Sequence, residues 1–358
     1  MYPNLRKYGL TERFEQESDL YDGLFIARVS EQRRGLYKVI CEKGELNAVV
    51  SGRLTYQAEG LPAFPSVGDF VMIDRQDANS GNAVIQHILR RKSAFTRKAA
   101  GTAHDEQVVA ANIDTVFICM SLNADFNLRR MERYLSIAWD SRAVPVIVLT
   151  KSDLCGDLES KLDAISSVAL GVDVVICSSE NADGLDTVKA YIQSGGTVAF
   201  IGSSGVGKST LINRLAGEDI LVTRQIREHD DKGRHTTTHR QLILLPGGGI
   251  VIDTPGMREL QIFTGDISKT FEDIEEIAAR CKFGDCSHGT EPGCAVRKAM
   301  ENGTLSEKRF ESYQKLQREI SYDGLNSRQL ENEKINRMFG GRGEMKRAMK
   351  YAKEKNSR

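Results

Sequence analysis

Short apolar runs separated by turn-forming residues occupy the first quarter of the chain. They predict five strands, at residues 24–29, 36–41, 46–50, 69–73 and 83–89. Glycine, proline and charged residues lie between the runs, which is typical of strand ends and turns. Five short strands in about 70 residues fit a small barrel such as an OB-fold, a common oligonucleotide-binding frame. A generic β-sandwich remains the alternative, and the fold alone does not establish RNA binding.

The pattern changes after residue 110, where apolar runs begin to alternate with amphipathic stretches. A predicted strand at 113–120 precedes a predicted helix at 127–139, and the alternation continues to about residue 262. Such alternation is what a parallel sheet with covering helices requires. Three further helical patterns follow, at residues 266–280, 295–300 and 306–320.

These patterns, in a chain of 358 residues, predict a multidomain protein. The predicted parts are an all-β OB-fold barrel that binds RNA (1–105), a central α/β domain (106–265) and an α-helical domain with a basic tail (266–358).

A glycine-rich loop in the α/β region fits the P-loop pattern. Its residues are Gly202, Ser203, Ser204, Gly205, Val206, Gly207, Lys208 and Ser209. An apolar run at 197–201 precedes the loop and a helical pattern at 210–215 follows it, which is the context that the motif needs. Glycines let backbone N–H groups approach phosphates, and the helix adds its positive end. We expect Lys208 to reach the β- and γ-phosphates, Ser209 to ligate Mg²⁺, and Thr210 to complete the nucleotide site.

A second phosphate-sensing motif, Asp-x-x-Gly, ends an apolar run about 50 residues after the P-loop. Asp253 is expected to hold Mg²⁺ through water, and the N–H of Gly256 to sense the γ-phosphate. Between the two motifs, residues 233–239 form a polar stretch where a first switch loop belongs. One of its threonines is expected to close on Mg²⁺; Thr237 is favoured, and its neighbours remain open.

The residues expected to recognise guanine come before the P-loop. A buried-strand pattern at 144–149 leads into Thr150, Lys151, Ser152 and Asp153, and a second at 172–177 leads into Ser178 and Ser179. The Asp153 carboxylate can accept from the ring N–H and the exocyclic amine of guanine, a donor pair that adenine lacks. The Lys151 stem can cover one face of the base. Threonine replaces the commoner asparagine at position 150, and its hydroxyl can still bind the P-loop.

This order of motifs predicts a circularly permuted GTPase, because an ordinary GTPase carries the guanine-binding motifs after the P-loop. A sheet depends on which strands are neighbours and not on where the chain is cut. No second match to the [NT]-K-x-D pattern follows Gly256. A P-loop enzyme that phosphorylates a small molecule is a competing interpretation, but the permutation argues against it.

The residue that positions the attacking water is not evident. Ras-like enzymes carry a glutamine just after Asp-x-x-Gly, and here that position is Met257. His235 and His239 lie in the predicted switch, where either an acid–base role or simple solvation fits them. We therefore predict slow intrinsic hydrolysis that a partner accelerates.

Three of the seven cysteines cluster with a histidine. Cys281, Cys286, His288 and Cys294 form a set of three thiols and one imidazole within 14 residues. Such a closed tetrahedral set is typical of a structural zinc site. A disulfide would leave one cysteine over, and a charged N-terminus without an export signal predicts a reduced, cytoplasmic protein. The other four cysteines are interpreted as ordinary core or surface thiols.

Net charge is zero, with 49 basic and 49 acidic residues, so nucleic-acid binding needs local patches. Residues 90–98 hold five cations and no acid, and residues 336–358 hold eight cations and two acids. Each is interpreted either as a phosphate-binding patch or as a solvated segment. No apolar run is long enough to span a membrane.

Taken together, these motifs resemble the RsgA/YjeQ/YloQ family of circularly permuted GTPases, which act in bacterial small-subunit ribosome assembly. The resemblance covers nearly the whole chain and depends on motif order, residues 233–237, residues 253–256 and the Cys/His spacing. It implies an OB-fold, a permuted GTPase domain and a zinc-binding helical domain. It also implies binding to the small ribosomal subunit and its 16S rRNA late in maturation, with GTP hydrolysis stimulated by that subunit. His235 corresponds to the histidine that the family uses in catalysis, and Ser179 stands where alanine is usual.

The resemblance therefore implies an assembly checkpoint, with GTP and GDP, Mg²⁺ and one structural Zn²⁺ as its ligands. Nothing in the sequence demands more than a monomer. In the alternative, the protein is a nucleic-acid-binding module whose GTP turnover is incidental, so Ser209→Ala would preserve function. We also hypothesise that the zinc domain reports the nucleotide state, because GTP orders the switches and so poises the RNA-binding domains. Identical domain orientation and subunit affinity with GDP and a GTP analogue would refute this coupling.

Overall fold

The computed structural model describes residues 2–33, 35–77, 81–98, 106–123, 125–221, 240–253, 267–321, 343–344 and 347. In the N-terminal part, the elements are α1 (Pro3–Lys7), α2 (Glu12–Ser18), β1 (Phe25–Arg33), β2 (Leu36–Cys41), β3 (Gly44–Val50), α3 (Gly52–Gln57), β4 (Phe70–Ile73) and β5 (Ala83–Ile88).

The five N-terminal strands close into a barrel, in the order β1-β2-β3-β5-β4 with β4 pairing back to β1. Pairings are antiparallel except for the parallel pair β3–β5. Alternate residues such as Val29, Val39 and Ile85 point inward and are fully buried, as the period of two requires. The predicted OB-like barrel is confirmed, and closure of the five strands into one barrel excludes the generic β-sandwich.

The central part contains β6 (Ala94–Lys98), β7 (Glu106–Ala111), β8 (Thr115–Ser121), α4 (Leu128–Asp140), β9 (Val144–Thr150), α5 (Leu158–Ser166), β10 (Asp173–Ile176), α6 (Leu185–Ala190), β11 (Thr197–Ile201), α7 (Lys208–Ala216), β12 (Arg240–Leu244) and β13 (Ile250–Asp253). Six of these strands form a sheet in the order β10-β9-β8-β11-β13-β12. All pair in parallel except β12, which runs antiparallel to β13. The P-loop strand β11 thus lies between a strand from earlier and a strand from later in the chain.

Apolar side chains cover both faces of this sheet, which is why its strands read as continuous apolar runs. On one face, α4 and α5 pack through residues such as Met131, Leu135 and Ile165. On the other face, α7 packs through Leu211 and Ile212. The strands β6 and β7 form a separate antiparallel pair, and the predicted boundary between residues 105 and 106 falls at the start of β7.

The C-terminal part contains α8 (Glu272–Ala278), α9 (Ala295–Glu301) and α10 (Glu307–Ser321). Its apolar side chains join those of α4 in one hydrophobic cluster. At the centre of this contact, the buried Arg309 guanidinium pairs with the buried Glu132 carboxylate of α4 at 2.7 Å. Arg309 also pairs with Asp273 at 2.8 Å and donates to the Thr270 carbonyl. Of the predicted basic tail, the structure describes only residues 343, 344 and 347.

Among the described residues, a strand pairing and a buried side chain both join the barrel to the central sheet. The far end of β1 pairs with β12, in the register Glu31↔Gln241 and Gln32↔Arg240. In addition, the fully buried Arg28 of β1 donates to the Thr197 hydroxyl at the start of β11, at 2.9 Å. Burial lowers the pKa of Arg28 to about 10, although Asp114 and Asp69 oppose the shift. The two parts therefore share one continuous hydrogen-bonded sheet.

The basic stretch 90–98 is used partly inside the protein. Arg91 forms an ion pair with the buried carboxylate of Asp69 at 2.7 Å, and Lys92 pairs with Asp114. Neither cation therefore belongs to a solvated segment, and both already have a carboxylate partner. Within the described part of the chain, no helix is long and apolar enough to cross a membrane.

Candidate functional site

The P-loop connects β11 to α7 and has the backbone shape that its glycines permit. Gly202, Gly205 and Gly207 have φ angles of 143°, 77° and 100°. A Cβ atom at Gly202 would lie 2.3 Å from the carbonyl oxygen of Cys119 in β8. Only glycine therefore fits the first position, where the loop leaves the sheet.

The side chain of Lys208 folds back over the loop that precedes it. Its Nζ donates to the carbonyl oxygens of Gly202 at 2.7 Å and Ser203 at 2.6 Å. These contacts hold the ammonium against the loop at the N-terminal end of α7. Ser209 is half-buried at the second residue of α7, and Thr210 follows it as an exposed residue.

A side-chain-to-backbone hydrogen bond attaches the predicted guanine loop to the P-loop. The buried Thr150 hydroxyl, at the end of β9, donates to the carbonyl oxygen of Val206 at 2.5 Å. This is the contact expected from the sequence. The next residue, Lys151, has a left-handed φ of 57°, which turns the chain away from the strand.

A residue at the end of the neighbouring strand β10 fixes the side chain of Asp153. The buried Ser178 hydroxyl, just after β10, donates to Asp153 Oδ1 at 2.6 Å. The Ser178 oxygen in turn accepts from the backbone N–H groups of Glu180 and Asn181. Ser152 and Ser179 flank these contacts and are half-buried. The carboxylate that is expected to recognise guanine is thus held in one orientation.

The structure brings three of the predicted motifs to the same edge of the sheet. The P-loop and the two guanine-motif segments follow the carboxyl ends of β11, β9 and β10. Ligands of open α/β sheets bind in the crevice at that edge. Asp253 ends β13, the parallel neighbour of β11, so its backbone lies at the same edge. His235, Thr237 and Gly256 lie outside the described residues, as do His239 and Met257.

Two side chains beside the P-loop, Arg130 and Asp125, belong to none of the predicted motifs. Nη1 of Arg130, in the first turn of α4, donates to the Ser203 hydroxyl at 2.6 Å and to Asp125 Oδ1 at 2.9 Å. The contact crosses 73 positions of sequence. Arg130 lies next to another arginine on a predicted amphipathic helix, so no local pattern distinguished it.

The Cys/His cluster lies directly before α9, and its last member, Cys294, is the N-cap residue of that helix. The ligand atoms of Cys281, Cys286, His288 and Cys294 all lie within 4.8 Å of one another. Cys281 Sγ lies 3.9 Å from Cys294 Sγ and 3.6 Å from His288 Nδ1. Zinc bonded tetrahedrally at ordinary lengths separates two sulfurs by about 3.8 Å and a sulfur from a nitrogen by about 3.6 Å. The four side chains therefore fit one zinc ion.

Backbone amides support the sulfur atoms of this cluster. The N–H of Ala295 points to Cys281 Sγ at 3.3 Å, and the N–H of Arg297 points to Cys294 Sγ at 3.4 Å. Such N–H groups stabilise negative charge on a thiolate. Outside the cluster, burial raises the pKa of Cys119 to about 12 and that of Cys177 to about 11.

Residues 88–263 match a family model described as RsgA GTPase. A curated protein of Lactiplantibacillus plantarum, named small ribosomal subunit biogenesis GTPase RsgA 2, is 57% identical over 344 residues, which cover 96% of this chain and 97% of that protein. A protein of Oceanobacillus iheyensis, named small ribosomal subunit biogenesis GTPase RsgA 1, is 44% identical and covers 89% of this chain and 92% of its own length.

Two solved structures share the fold. The YjeQ structure from Thermotoga maritima has a TM-score of 0.62 and 26% identity, and the match covers 85% of this chain and all of that one. The YloQ structure, whose description is a circularly permuted GTPase, has a TM-score of 0.60 and 26% identity, and the match covers 86% of this chain and 98% of that one.

Proposed function

Because this chain belongs to the RsgA GTPase family, we propose that it binds the small ribosomal subunit late in that subunit's maturation. The chain is a P-loop GTPase, and its relatives carry the name of small ribosomal subunit biogenesis GTPases. In the proposed cycle, the subunit stimulates hydrolysis of GTP to GDP and phosphate, and hydrolysis accompanies release. The observation that carries the proposal is the full-length likeness to the L. plantarum relative, at 57% identity.

The proposed guanine site depends on the fixed carboxylate of Asp153. Its Oδ1 accepts from the Ser178 hydroxyl at 2.6 Å, and a carboxylate has further lone pairs for the two N–H groups of guanine. Lys151 covers the base, and Ser152 and Ser179 line the same loops. The Thr150 hydroxyl attaches this loop to the P-loop, so the residues that bind the base and those that bind the phosphates keep fixed relative positions.

The proposed phosphate site is the P-loop from Gly202 to Thr210. Its N–H groups and the Lys208 ammonium bind the β- and γ-phosphates. When Mg²⁺ is bound there, it neutralises charge on the phosphate oxygens; Ser209 is the proposed ligand, with Asp253 acting through water. In the switch segments, Thr237 and Gly256 are the proposed γ-phosphate contacts, and His235 the proposed residue that positions water.

We propose that the Cys/His cluster binds one structural Zn²⁺ through Cys281, Cys286, His288 and Cys294. The support is the donor set and its spacing, which leave no coordination position for a substrate. Metal analysis of the purified protein is expected to give one zinc per chain. Cys286→Ser is expected to lose that zinc, and a variant that keeps it would contradict the assignment.

We propose that this protein has an RNA-binding surface, and that the RNA it binds is the 16S rRNA of the small subunit. An OB-like barrel is a common oligonucleotide-binding frame. Because Arg91 and Lys92 are paired with carboxylates, phosphate contacts in this part of the chain must come from other cations. We further propose that the protein acts as a monomer in the cytoplasm.

The test is GTP turnover by the purified protein, alone and with purified small subunits, with large subunits and ATP as controls. Stimulation by small subunits only, and of GTP hydrolysis only, is the expected result. Lys208→Ala should abolish turnover in both conditions. Equal GTP turnover with and without small subunits would refute the proposed partner. GTP hydrolysis by the protein alone would still show that it is a GTPase.

The same preparation distinguishes a checkpoint from a binding module. Ser209→Ala is expected to bind small subunits but to fail to release, since release is proposed to need hydrolysis. A Ser209→Ala protein that supports subunit maturation as well as the parent would favour the binding-module alternative.

A further inference from the structure

An arginine outside the predicted motifs is placed rigidly beside the P-loop. Asn127 caps α4 by accepting the backbone N–H of Arg130 at 3.0 Å, which fixes the first turn of the helix. From that turn, Nη1 of Arg130 reaches both the Ser203 hydroxyl and the Asp125 carboxylate. The guanidinium thus bridges a residue just after β8 and a residue of the phosphate loop.

Ser203 is therefore held from two sides. Its side chain accepts from Arg130 at 2.6 Å, and its carbonyl oxygen accepts from Lys208 Nζ at 2.6 Å. A P-loop binds phosphates through backbone N–H groups, so its affinity depends on a backbone that is fixed before the ligand arrives. Ser203 follows the glycine at which the loop leaves the sheet, so a shift there would displace every later amide.

We propose that Arg130 is a positioning residue for GTP, which fixes the P-loop through its hydrogen bond to Ser203. Its effect passes through the loop backbone and needs no direct contact with the nucleotide. The inference rests on the proposed placement of the phosphates at this loop, and it is independent of the ribosomal partner.

The neighbouring charged residues of α4 pair with α10 and supply a control. Arg129 pairs with Glu311 of α10 at 2.9 Å, and Glu132 pairs with Arg309 of α10. Arg129 thus has the same charge and the same helix turn as Arg130, but its partner lies in the C-terminal part. Neutralising Arg129 changes the net charge equally without touching the P-loop.

The experiment is a double-mutant cycle on nucleotide affinity. The variants are Arg130→Gln, Ser203→Ala and their combination, with Arg130→Lys as the conservative variant and Arg129→Gln as the matched control. Dissociation constants for fluorescent GDP and for a non-hydrolysable fluorescent GTP analogue are measured, together with kcat and KM. Arg130 is one-third exposed, so the loss from each single variant is expected to be about three- to tenfold in affinity.

The combined variant is expected to bind no more weakly than the weaker single variant, because both remove the same hydrogen bond. Arg130→Lys should recover part of the loss, the effect should appear in KM more than in kcat, and Arg129→Gln should bind like the parent. Losses that multiply in the combined variant would overturn the proposal. So would a large loss in Arg130→Gln with none in Ser203→Ala, which would indicate a direct charge effect on the nucleotide.

Lys208→Ala separates this inference from the site itself. If Lys208→Ala binds nucleotide as tightly as the parent, the phosphates do not lie at this loop and the proposed site is wrong. If Lys208→Ala loses affinity and the Arg130 and Ser203 variants do not, the site stands and only the positioning role is refuted.

Discussion

The buried ion pair between α4 and α10 allows a quantitative test of how the C-terminal part is attached. The Arg309 side chain is 6% exposed and the Glu132 side chain 3% exposed. Replacing Arg309 with methionine removes the hydrogen bonds to Glu132, Asp273 and the Thr270 carbonyl. Among the described residues, the Ser312 hydroxyl is then the remaining hydrogen-bond partner of the buried Glu132 carboxylate.

Removing one partner of a buried ion pair costs about 3 to 5 kcal/mol, because the remaining charge stays desolvated. We expect Arg309→Met to lie in this range. Glu132→Leu should cost less, about 1 to 3 kcal/mol, since Arg309 keeps the partly exposed carboxylate of Asp273. The double variant replaces the pair with apolar groups, so it should be more stable than the sum of the two single losses by about 2 kcal/mol.

The single tryptophan of the chain provides the assay. Trp139 lies on α4, and the Lys269 ammonium of the C-terminal part lies 5.0 Å from its ring centre. Its fluorescence during urea unfolding therefore changes when this part detaches from α4. Arg318→Met, an exposed change on α10, is the control and should shift the free energy of unfolding by less than about 0.5 kcal/mol. Strict additivity of the two single losses, or a loss below about 1 kcal/mol for Arg309→Met, would refute the argument.

Three further predictions concern the nucleotide site and the strands that carry it. Thr150→Val keeps the side-chain shape but removes the hydroxyl that donates to the carbonyl oxygen of Val206. GDP affinity, measured by fluorescence titration, should therefore fall about fivefold. Unchanged affinity would show that this contact does not hold the guanine loop. Gly202→Ala places a Cβ 2.3 Å from a backbone oxygen, so GTP turnover should fall at least about tenfold, and normal turnover would mean that the loop can move aside at little cost. Burial raises the pKa values of Cys119 and Cys177 to about 12 and about 11, so at pH 8 the thiolate is about one part in a thousand or less. Mass spectrometry after iodoacetamide treatment of the native protein should find both unmodified, whereas rapid alkylation of either would contradict its burial.

Features that depend on neighbouring residues were predictable from the sequence. The barrel strands follow from apolar runs between turn residues, and the P-loop follows from glycines at positions that need left-handed or closely packed backbone. The Cys/His cluster also follows from local spacing, because its four ligands lie within 14 residues. In each case the physical constraint acts over a short stretch, so the stretch alone carries the signal.

Features that depend on the tertiary arrangement were not predictable in the same way. The basic run at 90–98 gave no sign that Arg91 would meet a carboxylate 22 positions away. Arg130 and Glu132 each find a partner more than 70 positions away, one in the P-loop and one in α10. A charged residue on an amphipathic helix has the same local pattern whether it faces water or a buried partner. Only the packing of the helix distinguishes the two.

The pairing of β1 with β12 has a practical consequence for dividing this protein. With the barrel in place, β1 covers β12 at the end of the central sheet. A fragment that begins after the barrel would leave β12 with unpaired N–H and C=O groups at an open sheet edge. Such edges pair with other chains and promote aggregation. Fragments of the central part are therefore best expressed with the barrel attached, or with charged or proline substitutions in β12 that block edge-to-edge association.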